Sequence, residues 1–203
     1  MVNDDIQRVL DFWFSGSELN SPQVDSRMER WFGSDPGLDA DIRSQFSDLV
    51  QAASDGELMD WAGTPEGRLA LIILLDQFRR NIFRGTADAF KKDPLALKIC
   101  VEGTMNNDHK DLSEMQRMFF FMPLQHAESL KIQDKSVDIY KALADSVSGT
   151  LHETFLTTAH FAELHRDIVA EFGRFPHRNP ILGRKNSKAE SEYLAADTSS
   201  FGQ

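Results

Sequence analysis

The stretch Gly173-Arg174-Phe175-Pro176-His177-Arg178-Asn179-Pro180-Ile181-Leu182-Gly183-Arg184 sets three arginines, a histidine and an asparagine in one short connection. Arginine offers a planar fork of donors that matches carboxylate or phosphate. Pro176 and Pro180 stiffen the loop, which lowers the entropy lost when its side chains hold a ligand. The chemistry this suggests is anion binding by Arg174, His177, Arg178, Asn179 and Arg184. The alternative is structural: the same arginines could pair with acidic helices and cap helix ends, and an acidic chain supplies many partners.

A second stretch, Asp76 to Arg84, has matching character. Asp76 and Arg80 lie one helical turn apart, as do Gln77 and Asn81, so Gln77, Arg80, Asn81 and Arg84 could line one wall of a pocket. The alternative is an Asp76–Arg80 pair at a half-solvated helix end. A third group follows Pro123. His126 could be an acid, a base or a donor to an anion, with Glu128 two residues on; equally, His126 could be a core histidine bonded to a carbonyl. Asp76, His126, His177 and Glu128 are the candidates for acid–base catalysis.

Other chemistries find little support. Paired Glu-x-x-His motifs are absent, as is His-Glu-x-x-His, so no metal is expected. There is no nucleophile motif and no glycine-rich phosphate loop, so no cofactor is expected. Cys100, the single cysteine, sits on an apolar helix face and reads as an inert buried thiol. It excludes an internal disulfide and fits a reducing, cytoplasmic setting.

Helices must position these residues. Asp4 to Phe14 carries Ile6, Val9, Leu10 and Trp13 on one face, with Asn3 as its cap. Ser15 to Pro22 reads as a loop and Asp25 to Phe32 as a short helix. Ser34-Asp35-Pro36 opens the next helix and Gly56 ends it. Thr64-Pro65 opens a helix whose Leu69–Leu75 run is apolar on all sides, which places it at the centre of the core and carries it on to Asn81. Asp93-Pro94 starts another, to about Met105. Ser113 and Gln116 form a capping box for a helix reaching about Leu130 with a kink at Pro123. Lys135 to Val147 and Leu151 to Phe172 follow, and Gly173 caps the latter. Ser187 and Glu190 box a last short helix. No strand alternation is found. The class is all-α, in antiparallel pairs, with residues 1–196 a single domain and 197–203 a disordered tail.

The chain has 203 residues, a net charge of -10 and 15 phenylalanines against 2 tyrosines. Such an acidic balance argues against nucleic acid as a partner. The apolar run at Leu69–Leu75 is too short to cross a bilayer and the acidic N-terminus is unlike a signal peptide, so no membrane partner is expected.

Trp13-Phe14, Trp31-Phe32, Leu74-Leu75-Asp76-Gln77-Phe78, Arg80 to Gly85, Pro123-Leu124, His126, Glu128 and Phe172 through Arg184 together resemble a known family. It is the uncharacterised bacterial family numbered nine-two-four among the domains of unknown function, and the likeness runs from about Ile6 to Leu194. The resemblance implies a tetratricopeptide-like, right-handed helical array and no established activity. The chain departs from the family pattern at Arg79, where Pro is usual, at Asn186-Ser187 and at Ala189.

Three readings of function follow. The first is a cytoplasmic domain binding an anionic small molecule or a peptide carboxylate between the three segments. The second is a hydrolase or transferase acting on a phosphate- or carboxylate-bearing substrate. The third is an interaction scaffold whose arginine loops are structural.

Overall fold

The computed structural model describes residues 4–14 and 21–196, with side chains at 4–14, 27–149 and 151–196. The proposed Asn3 cap, loop residues 15–20 and the tail 197–203 lie outside the described residues. Every regular element among those described is helical: α1 (Asp4–Phe14), α2 (Ser21–Phe32), α3 (Pro36–Asp55), α4 (Pro65–Ile72), a π-helical segment (Ile73–Phe78), α5 (Arg79–Ile82), α6 (Asp93–Asn106), α7 (Glu114–Phe120), α8 (Met122–Gln125), α9 (Leu130–Asp145), α10 (Thr150–Phe172) and α11 (Lys188–Ala195). The protein is all-α. Neighbouring helices pack in pairs, α9 against α10 most extensively, an arrangement compatible with a tetratricopeptide-like array.

The start signals act as expected. Asp35 accepts from the Gly37 amide at 2.8 Å and Thr64 Oγ1 from the Gly67 amide at 3.1 Å. Ser113–Gln116 and Ser187–Glu190 both close as capping boxes. Gly67 must be glycine, because a Cβ there would lie 2.1 Å from the Trp61 carbonyl oxygen. Leu69 through Leu75 are wholly inaccessible, so this segment is the core's axis. Trp13, Trp31, Phe46, Phe78 and Phe119 pack edge-to-face or tilted around it, a geometry that aromatic quadrupoles favour.

Two segments differ from the sequence expectation. Helix α2 begins at Ser21, with Pro22 in its first turn, where a proline's missing amide costs nothing. The helix expected to run kinked from Glu114 to Leu130 is instead two. It breaks at Phe121, Pro123 sits in the first turn of α8, and α8 ends at Gln125. Ending there is stable because the freed carbonyls find side-chain donors. Gln133 Nε2 donates to Gln125 O at 2.7 Å and Ala127 O at 2.8 Å, and Arg178 Nη1 donates to His126 O at 3.2 Å. The next helix, α9, starts at Leu130, earlier than Lys135.

Candidate functional site

The axial helix widens into a π turn just before its polar end, as helices often do at functional positions. The turn carries Asp76, whose side chain is wholly inaccessible. A buried carboxylate survives only with dense compensation. Its Oδ1 faces His126 Nδ1 at 2.7 Å and Arg80 Nη1 at 3.1 Å, and its Oδ2 accepts from Gln77 Nε2 at 2.6 Å. Burial opposes its ionisation, but Arg80 and His126, with Gln77, outweigh burial and hold it well below the usual carboxylate range.

From Arg80 the chain of contacts closes on itself. Arg80 grips Asp93 with both terminal nitrogens, at 3.0 and 2.9 Å. Asp93 Oδ2 also faces Arg178 Nη1 at 3.4 Å, and the same nitrogen donates to the His126 carbonyl. The circuit runs His126, Asp76, Arg80, Asp93, Arg178 and back to His126. The Arg178 guanidinium is sandwiched, 4.7 Å from the Phe90 ring centroid and 4.5 Å from that of Phe175. Burial, and then Arg80, push its pKa down to about 10, against the pull of Asp93.

His126 is therefore fixed from two sides, by its carbonyl and by its ring. Its Nδ1–H donates to Asp76, which leaves Nε2 with no protein partner among the described residues. Burial first, then Arg80, lower its pKa below the ordinary 6.5, and Asp76 only partly restores it. At neutral pH the ring is uncharged, with its Nε2 lone pair available.

Beside it lies a cavity of about 70 Å³. Its polar lining is Gln77, Arg80, Asn81, Arg84 and His126, and its apolar lining includes Trp31, Phe32, Phe90 and Met122. Among the described residues, no carboxylate lines it. The acids that hold these side chains lie outside the lining. Asp39 of α3 binds Arg84 through Nε at 2.7 Å and Nη2 at 2.9 Å, and Asn81 Nδ2 at 2.8 Å. Asp76 and Asp93 hold Arg80. The wall combines two arginines and two amides, each held by an acid behind it, with the His126 ring.

The 173–184 loop reaches this region with fewer side chains than its sequence suggests. Arg178 meets His126 and Asp93, and Ile181 lines the cavity. Arg184 is spent on Glu128, at 2.7 and 2.9 Å, and Glu128 also accepts from the Phe175 amide at 2.8 Å. Arg174 pairs with Glu190 at 2.6 and 2.8 Å and does not line the cavity. Asn179 is wholly buried, bridging Arg184 and Asn186. The His177 ring lies 5.5 Å from Phe175 and does not line the cavity. So Gln77, Arg80, Asn81, Arg84 and His126 are brought together, Arg178 and Glu128 adjoin them, and Arg174, His177, Asn179 and Arg184 serve the loop itself. Sequence reasoning missed Asp39, Asp93 and Phe90. In sequence Asp93 marks only a helix start, and nothing local marks an acid as the partner of an arginine many residues away. Among the described residues, no three His, Cys, Asp or Glu are grouped to hold a metal.

The chain matches the model of a bacterial protein family of unknown function, DUF924, over residues 9–198. It is also similar to a solved structure, a protein of unknown function from Agrobacterium tumefaciens. The two share 37% identity with a TM-score of 0.80, over 95% of this chain and 98% of that one. None of the curated proteins compared matches it.

Proposed function

We propose that this chain, which belongs to the bacterial family of unknown function DUF924, binds a small organic or inorganic anion, a carboxylate or a phosphate, in the cavity beside His126. One observation carries the reading. Among the described residues, the cavity presents two arginines, an asparagine, a glutamine and a histidine, and no carboxylate. Preformed polar groups converging on a small, partly apolar pocket are what a ligand site requires. The ring of counter-acids behind the wall fixes the guanidinium forks before a ligand arrives, so little side-chain freedom is lost on binding. The test is calorimetric titration with acetate and with inorganic phosphate. Saturable binding is expected, weakened in Arg84→Gln, where Asn81 still engages Asp39. Heats that do not saturate would sink the reading.

A second reading, catalysis, is favoured by the Asp76–His126 pair. A pure anion clamp has no use for a buried carboxylate behind its histidine. A general base does: the carboxylate fixes the tautomer and stabilises the imidazolium formed when Nε2 takes a proton from water or a substrate hydroxyl. In this reading, hydrolysis of p-nitrophenyl acetate or p-nitrophenyl phosphate is lost in His126→Gln while acetate or phosphate still binds. Equal rates in both proteins would leave binding alone.

A further inference from the structure

Phe90 and His126 line the anion cavity, and they also line an open groove of about 700 Å³. Among the described residues, no other is common to the two. The groove's character is different. Pro94, Leu97, Pro123, Ala127 and Leu182 supply apolar wall on the far side of the shared pair. Its charges cancel within the fold: Lys91 lies 3.7 Å from Asp88, Asp93 is held by Arg80 and Arg178, and Glu128 is held by Arg184. A cavity lined by arginine, amide and histidine side chains thus adjoins a mostly apolar groove across one histidine and one phenylalanine. Among the described residues, the groove has no cluster of arginines and amides to match the cavity's, whereas a hydrocarbon finds apolar wall there to cover.

We infer that the ligand is an amphipathic carboxylic acid, its carboxylate in the cavity and an apolar arm of several carbons lying along the groove past Phe90 and His126. This rests on the anion-cavity reading and extends it from the head of the ligand to the whole of it. The shared wall sets the size of each part: the cavity admits a head of a few heavy atoms, and the open groove accepts arms of varied length.

The test is calorimetric titration of the full chain with acetate, butanoate and octanoate. Each methylene removed from water strengthens binding by about fourfold, so octanoate should bind at least about tenfold more tightly than acetate, with butanoate between. Two variants narrow the groove. Leu97→Trp fills it from α6, where Leu97 is half-buried, and Ala87→Phe does so from an exposed position whose replacement disturbs no core contact. Either should abolish the chain-length gain and leave acetate affinity unchanged, with far-UV circular dichroism and melting temperature as the control for folding. If acetate binds and octanoate binds no better, or the gain survives Ala87→Phe, the amphipathic ligand is wrong while the anion cavity stands. If octanoate binds tightly but Arg84→Gln leaves its affinity untouched, the head is not in the cavity and both fall.

Discussion

Asp76 Oδ1 stands 2.7 Å from His126 Nδ1 across 50 residues of sequence, with the carboxylate wholly inaccessible and the ring at the cavity wall. This contact orients the histidine, sets its tautomer and ties the axial helix to the segment after α8.

Anion binding should be linked to protons through His126. The free ring is neutral near pH 7 because burial and Arg80 depress its pKa. An anion at Nε2 favours the imidazolium, so binding takes up a proton and affinity rises as pH falls. Between about pH 8 and pH 6, acetate affinity should climb by up to about tenfold per unit, and His126→Gln should flatten the profile. A flat wild-type profile would remove His126 from the binding site.

Removing the Asp76 carboxylate should destabilise the fold severely. Asp76→Ala strands Gln77, His126 and part of Arg80, and losing one partner of a buried ionic network costs about 3–5 kcal/mol. Asp76→Asn should cost less, since its amide oxygen can still accept from His126 Nδ1–H. Urea midpoints of the two variants give the order, and equal midpoints would contradict it.

Glu128 anchors the 173–184 loop by bonds to Arg184 and the Phe175 amide. It is itself held below the usual glutamate range, because Arg184 and that amide overcome burial. Glu128→Ala should lower stability by about 1–3 kcal/mol and speed hydrogen exchange at Phe175. Unchanged exchange there would mean that the prolines alone hold the loop.

Acid should unfold the protein partly through its histidines. Burial pushes His165 down to about 3 and, with Arg178, His177 to about 4. Both are depressed below the ordinary 6.5, so the unfolded chain binds more protons than the folded one between those values. Their contribution is complete above about pH 6.5 and is lost as pH falls toward 4. The melting temperature should therefore drop between about pH 7 and pH 4.5, and His165→Phe should shrink the drop. Equal melting temperatures at the two pH values would contradict it.

The sequence made the axis and the two polar strings legible. Leu69–Leu75 has no polar face to turn outward, and helix caps are local chemistry that composition displays directly. What it hid was pairing over distance. Arg84, Arg174 and Arg184 look like free donors in a string, yet Asp39, Glu190 and Glu128 reach them from other helices. Pro123 misled because its position in a helix decides its effect: inside, it kinks, and in a first turn it begins one. The stop at Gln125 depends on Gln133 and Arg178, whose side chains arrive only in the folded state.

The most direct measurement is histidine-ring nuclear magnetic resonance during titration with inorganic phosphate. The His126 ring signals should move saturably, while those of His160, whose side chain is 65% exposed and lies on α10, stay unchanged. Shifts at His160 with none at His126, when phosphate is in large excess, would contradict the assignment of the anion to this cavity.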